Sequence, residues 1–321
     1  MDGGRLFMLA ETNMDMITEH LSQSSPDLAI IDSIQTAYLD DMGGAPGSVG
    51  QIRECTMRLM QWAKPANVPV LISGHVTKDG TMAGPRVLEH IVDVVLYLEG
   101  EPFSAYRLLR GVKNRFGSTN EVGIFEMRSQ GLVEVTNPSQ VFLAERGGET
   151  VGSAVVPTLE GTRPLLVEIQ ALTTNTPYGP PRRISNGIDF NRLLMIAAVL
   201  TKRAGLALGN QDIIVNVAGG LKVNEPAADL GVALAIASSL RNVAVDPEMA
   251  AIGELGLSGE LRSVPHLERR LGEAAKLGFK RCLLPASKNL AAPQGMTLLG
   301  AASIREALRL ALPKSGKPET D

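Results

Sequence analysis

Apolar and polar positions along this chain alternate between short continuous apolar runs and longer stretches of helical period. In "SPDLAIIDSIQT" the run Leu28 to Ile31 follows Pro26 and ends at Asp32, which predicts a strand buried on both faces, hence part of a parallel sheet. In "VGQIRECTMRLMQWAKPANVPVLISGHVTKDG" the residues Ile52, Cys55, Met57, Leu59, Met60 and Ala63 suit a helix. Val68 to Ile72 then form a second apolar strand that ends in Ser73-Gly74-His75. "RVLEHIVDVVLYLEG" predicts a short helix and a strand. "AYRLLRGVKNR" and "EVGIFEM" predict a hairpin closed by the turn formers Gly117, Ser118, Thr119 and Asn120. Strand, helix, strand at this spacing is α/β layering with right-handed crossovers.

A linker-like stretch, "NPSQVFLAERGGETVGS", follows, and from about residue 151 the pattern restarts. "SAVVPTLEGTRPLLVEIQALTT" predicts two strands around a Glu160-Gly161 turn. "FNRLLMIAAVLTKRAG" predicts a helix stopped at Gly205, "DIIVNVAGG" a strand, and "PAADLGVALAIASSL" an apolar helix beginning just after Pro226. "AIGELGLSGELRSV" reads as a strand pair, "HLERRLGEAAKLGF" as a helix, "KRCLLP" as a strand and "SIREALRLAL" as a closing helix. This is α/β again, with a mixed sheet expected.

Composition narrows the classes. The 321 residues are enough for two domains, each with its own core, and with aromatics at 4% those cores are aliphatic. No run reaches the length of a membrane span, and "MDGGRLFML" reads neither as a basic leader nor as a signal peptide. The two cysteines, Cys55 and Cys282, stand far apart in apolar settings, without CxxC or zinc spacing; they read as buried, inert thiols and suit the cytosol. The net charge of −3 conceals an asymmetry: residues 1–138 hold 11 Lys/Arg against 17 Asp/Glu, and residues 139–321 hold 20 against 17. The second half therefore has the better claim to a polyanion surface, although most such charges are ordinary solvated faces.

Asp32 and His75 lie at the carboxyl ends of two predicted parallel strands, where α/β sheets bind ligands. A carboxylate there can hold the water shell of Mg²⁺. Spacing alone leaves the simpler alternatives open, a helix or turn cap for Asp32 and a structural role for His75. The turn between the hairpin strands explains Gly117 to Asn120 but leaves Lys113 and Arg115 without a purpose.

The segments "LAIIDSIQT", "ISGHVTKDGTMAGPRVLEHIVDVVLYLEG" and "VKNRFGSTNEVGIFEM" resemble the RadA (Sms) family of bacterial recombination ATPases, whose core is similar to RecA and to DnaB-type replicative helicases. The resemblance implies ATP and Mg²⁺ as cofactors, Asp32 near the metal through water, and His75 as a sensor of the γ-phosphate. It also implies that Lys113 and Arg115 are basic fingers that act in trans, stabilising charge on a phosphoryl group bound by the neighbouring subunit. Family members carry a four-cysteine zinc module and a Gly-x-x-x-x-Gly-Lys-[Ser/Thr] loop ahead of the Asp32 strand. Neither occurs here, and Gly316-Lys317 is followed by proline. The expectation is a truncated member whose zinc module is absent, which leaves a sheet edge open and does not turn over ATP alone.

The second half resembles the proteolytic domain of Lon proteases, which the same family carries at its carboxyl end. Lon-type catalysis pairs a serine nucleophile with a lysine. The matching positions here are Ala227, in Glu225-Pro226-Ala227-Ala228-Asp229, and Arg270, in "PHLERR". Alanine has no nucleophile and arginine keeps its proton, so peptidase activity is not expected. A domain of this kind without its dyad suggests assembly or binding. Arg182, Arg183, Lys202, Arg203 and above all Lys222, beside Gly219-Gly220, are the candidate phosphate contacts for DNA; Arg269-Arg270 is a further basic pair.

The sequence thus predicts an α/β chain: the carboxyl-terminal part of a RecA-like parallel-sheet core over 1–138, a linker over 139–152, a Lon-protease-like domain over 153–313, and a tail over 314–321. The resemblance implies a cytoplasmic DNA motor for repair and recombination. Its implied partners are single-stranded or branched DNA, its own copies in a homohexamer and a RecA-type recombinase, with no membrane. The rival readings are a ring scaffold without DNA contact and an active Ser-Lys peptidase.

Overall fold

The computed structural model describes residues 5–75, 86–100, 105–143, 148, 150–287 and 290–312. The chain divides into two compact units: Met1–Leu96 with Gly111–Ser118, and Tyr97–Arg110 with Thr119–Asp321.

The first unit opens with α1 (Met14–Ser24), capped by Asn13, whose side chain accepts from the amides of Asp15 and Met16. Strand β1 (Ala29–Ile31), helix α2 (Val49–Ala66), strand β2 (Val70–Ile72) and the short helix α3 (Arg86–Glu89) follow. Ser48 caps α2 at one end, and Asn67, at φ 54°, closes it at the other. The helix buries Ile52, Cys55 and Leu59 at i, i+3 and i+7. Gln51, also buried, spends its amide on the backbone of Leu39 and Met42 and so pins the loop that leads into the helix. Strands β1 and β2 pair in parallel, with Ile30 beside Leu71 and Ile31 beside Ile72.

One face of this pair packs on a core of Met14, Ile17, Ile34, Ile52, Cys55 and Leu59. The other face differs from expectation. Ile30 is 62% exposed and Leu71 55%, so each strand is buried on one side only among the described residues. A continuous apolar run encodes a strand that can be covered twice; it does not supply the second cover.

Strand β3 (Val94–Glu99) and strand β4 (Tyr106–Asn114) both cross the boundary between the units. Strand β4 pairs antiparallel with β5 (Val122–Arg128), from Tyr106 beside Glu126 to Arg110 beside Val122, which is the expected hairpin. Strand β6 (Gly131–Glu134) completes a sheet of order β3-β4-β5-β6. Helix α4 (Pro138–Leu143) occupies part of the stretch read as a linker, and its Ser139 hydroxyl bonds Glu273 and the amide of Leu166.

The second unit is built on β7 (Ser153–Glu160), β8 (Arg163–Asn175), β9 (Arg183–Asn186), α5 (Phe190–Ala204), β10 (Gln211–Val217), α6 (Asp229–Arg241), β11 (Met249–Ala251), β12 (Glu254–Leu255), β13 (Leu261–Arg262), α7 (Leu267–Lys276), β14 (Arg281–Pro285), β15 (Thr297–Ala301) and α8 (Ile304–Ala311). Seven strands form one mixed sheet in the order β15-β14-β11-β7-β8-β10-β9. Alternate residues of β7 and β8 serve two cores. Ala154, Val156, Leu165 and Val167 pack with α5, α6 and α8, whereas Val155 and Leu166 pack with Leu271 and Ala274 of α7.

Helix α6 is apolar all round because it is buried all round, from Asp229 to Ser238. Gly231 is needed at its contact with the sheet, since a Cβ there would stand 2.1 Å from Val156 Cγ2. Helix α5 starts at its Asp189 cap and stops at Gly205, which adopts φ 73°. No helix among the described residues is long and apolar enough to cross a membrane.

Candidate functional sites

In the first unit, parallel pairing of β1 with β2 brings Asp32 and His75 to the same carboxyl end of the strands. The backbone there is knitted together: the amide of Ser73 donates to Ile31 O at 2.8 Å, and that of Ile34 to Ser73 O at 3.1 Å. Gln35 Nε2 donates to His75 O at 3.3 Å, while Gln35 Oε1 is buried without a hydrogen-bond partner. Both Asp32 and His75 are exposed. This donor set fits one outer contact to a hydrated Mg²⁺ rather than a closed metal cage, and no group of three or more His, Cys, Asp or Glu with metal-site geometry occurs among the described residues.

Lys113 and Arg115 lie on and just after β4. Lys113 Nζ donates to Glu89 O at 2.6 Å and to Val92 O at 2.8 Å, carbonyls that the end of α3 leaves available. Arg115 Nη1 lies 2.9 Å from Asp93 Oδ1, and its amide donates to Asp93 O. One segment, Glu89 to Asp93, therefore holds both basic side chains within their own unit. The Lys113 attachments are half-buried, the Arg115–Asp93 pair is at the surface, and the adjacent Phe116 is 80% exposed.

In the second unit, Ala227 sits buried in the 3-10 turn Pro226–Ala228 that leads into α6. Arg270 of α7 is 1% exposed. It meets Glu225, two residues before Ala227, in a bidentate pair: Nη1 to Oε1 at 2.7 Å and Nη2 to Oε2 at 2.5 Å. Arg270 also donates to Pro157 O and Pro265 O, and Glu225 accepts further from Thr158 Oγ1 and the amide of Leu159. Burial works against the Glu225 carboxylate, but Arg270, Thr158 and Leu159 outweigh it and hold its pKa below the ordinary value. A methyl group and a fully engaged guanidinium offer neither a nucleophile nor a base.

The five basic candidates fall at three places. At the start of β9, the Arg182 guanidinium grips one oxygen of buried Asp212, with Nε and Nη2 both donating to Oδ2, at 2.9 Å and 2.7 Å. Arg183 donates to Gln211 O and Leu208 O. Lys202 and Arg203 end α5; Arg203 Nε donates to Leu257 O, and Arg203 O accepts from Arg305. Lys222 is exposed in the turn after β10, behind Gly219 and Gly220 at φ 77° and 70°.

Several polar groups that organise these places escaped the sequence reading. Asp212 accepts from Thr176, from the amide of Arg182 and from the Arg182 guanidinium; hydrogen bonds from Arg182 lower its pKa to about 2. Asp229 accepts from Arg192 and from the amide of Leu255 at the start of α6, and burial still raises its pKa. Burial likewise raises that of Glu160, 2.7 Å from Arg110. The available signal was a lone acidic residue inside an otherwise apolar predicted strand, as in "QDIIVNV".

Residues 189–288 match the family described as subunit ChlI of Mg-chelatase. DNA repair protein RadA of Bacillus subtilis (strain 168) is 53% identical over 309 residues, covering 96% of this chain and 68% of that protein. DNA repair protein RadA of Listeria monocytogenes serovar 1/2a is 54% identical over 313 residues, covering 97% and 68%. That of Streptococcus pneumoniae (strain R6) is 53% identical over 305 residues, covering 94% and 73%. The α/β architecture, with a parallel strand pair followed by a larger mixed sheet, is consistent with a partial RecA-like core ahead of a Lon-protease-like domain. On this identity and coverage, the chain belongs to the family of the DNA repair protein RadA.

Proposed function

We propose that this chain acts in DNA repair and recombination in the cytoplasm by binding single-stranded or branched DNA and assembling into six-membered rings. The observation that supports this most is its identity, above one half over nearly its whole length, to proteins named DNA repair protein RadA. In the proposal the second unit is the ring-forming, DNA-contacting part. Lys222 leads the phosphate contacts, with Lys202, Arg203, Arg182 and Arg183 beside the path of the strand. The Ala227 and Arg270 positions serve structure and not peptide hydrolysis.

ATP and Mg²⁺ enter through the first unit. Asp32 faces the hydrated metal, His75 senses the γ-phosphate, and Lys113 with Arg115 meets the triphosphate of a neighbouring subunit. No Gly-x-x-x-x-Gly-Lys-[Ser/Thr] loop occurs in these 321 residues, and the proposal assigns none of them to the triphosphate cradle. A RecA-type recombinase completes the proposed partners.

Anisotropy titrations of fluorescent single-stranded and forked oligonucleotides at stepped salt concentrations test this. Affinity should fall linearly with salt on logarithmic axes, and Lys222→Ala should reduce the slope by about one unit. Absence of binding at low salt, or binding indifferent to salt, would overturn the DNA reading and leave the ring scaffold.

A further inference from the structure

The loop between β8 and β9, "TPYGPPR" over residues 176–182, has a construction that phosphate contact alone does not require. Its two ends are closed by one buried carboxylate. Asp212 Oδ1 accepts from Thr176 Oγ1 at 2.9 Å and from the amide of Arg182 at 2.8 Å, and Oδ2 takes the Arg182 guanidinium. Backbone bonds from Thr176 to Asn210 O and from Ile213 to Arg182 O fasten the same ends. Between them stand Pro177, Pro180 and Pro181, which restrict φ, and Gly179 at φ 78°, where the chain turns. At the tip of this stiffened loop Tyr178 is 93% exposed. An aromatic side chain held out on a preorganised loop loses little entropy when it binds.

The surroundings select the ligand. Residues 176–183 include no acidic residue. Arg182 remains 72% exposed at its side chain, and Arg183 keeps its charge because its partners are neutral carbonyls. Two cations against the single carboxylate of Asp212 leave the loop positive, which suits a polyanion whose bases present flat faces. Base stacking on an aromatic ring tolerates any sequence, because every base has such a face. We infer that Tyr178 is a nucleobase-stacking residue, set by the Asp212-closed loop beside Arg182 and Arg183 to hold an unpaired base of single-stranded nucleic acid. This deepens the DNA-binding reading and rests on it.

The test compares a base-bearing strand with an abasic strand of equal length, using the full chain and its Tyr178→Ala and Tyr178→Trp variants. Tyr178→Ala should weaken binding of the base-bearing strand by about tenfold, with the salt slope unchanged because tyrosine displaces no counterion. It should leave the abasic strand as it was. Tyr178→Trp should retain affinity and show fluorescence quenching by the base-bearing strand beyond that seen from Trp62 in the parent protein.

Equal binding of both strands, or full affinity in Tyr178→Ala, overturns the inference while leaving DNA binding intact. If Tyr178→Ala instead abolishes self-association at unchanged DNA affinity, the loop is a protein contact and the inference also fails. If the parent protein binds neither strand, the wider DNA reading has failed first.

Discussion

Two cationic places in this molecule invite comparison. Arg270 is sealed inside the second unit, with every nitrogen of its guanidinium engaged by Glu225, Pro157 and Pro265. In the first unit Lys113, half-buried, and Arg115, exposed, lie against two carbonyls and one carboxylate of the segment Glu89 to Asp93. The same chemical type is fully enclosed in one place and partly open to water in the other. A buried ion pair cannot be broken without stranding a charge in a low-dielectric interior, whereas water takes over readily from partners at the surface. Basic character in the sequence therefore does not identify a functional cation; the number and burial of its partners do.

The largest expected effect comes from breaking the locked site. Arg270→Leu leaves the half-buried Glu225 carboxylate without its cation and empties a buried guanidinium site, and should destabilise the second unit by about 3 kcal/mol, read as a lowered urea midpoint. Restoring the dyad chemistry by Ala227→Ser with Arg270→Lys should yield no casein cleavage, because the lysine ammonium would be held charged by Glu225. Cleavage that depends on the new serine would show that the site is not locked. Lys113→Met should cost about 1 kcal/mol, the scale of hydrogen bonds to backbone carbonyls, and should raise hydrogen exchange over 86–93. Arg115→Ala should change stability by less than about 1 kcal/mol, as for other exposed ion pairs.

A further effect appears only in acid. Because Asp212 has its pKa lowered to about 2, its contribution is fully present above the ordinary carboxylate value and is lost as pH falls through about 2. Asp212→Asn should flatten that acid limb of the melting temperature against pH, and an unchanged limb would show that Asp212 does not hold the loop through its charge.

Much of the second unit could be read directly from the sequence. The β7–β8 pair, α5 with its Gly205 stop, α7 and α8 all carry their own period and punctuation. Strand β11, three residues long, and strand β9 escaped notice because parallel neighbours, not an internal pattern, hold them. Helix α1 was missed although Asn13 followed by Met14, Ile17 and Leu21 is a cap and an apolar face. The positions Ala227 and Arg270 were legible; the partner Glu225 was not, since their contact exists only once α7 packs beside β7. The ties of Lys113 to Glu89 and Val92 were equally invisible, because backbone carbonyls carry no sequence signature.

In the function proposed above, the Lys113–Arg115 pair serves a neighbouring subunit. Mixing this chain with a longer RadA relative and measuring ATP turnover per subunit of that relative decides whether it does. Turnover should be higher with the parent chain than with its Lys113→Ala variant. Equal turnover with both, or no change with either, would contradict it.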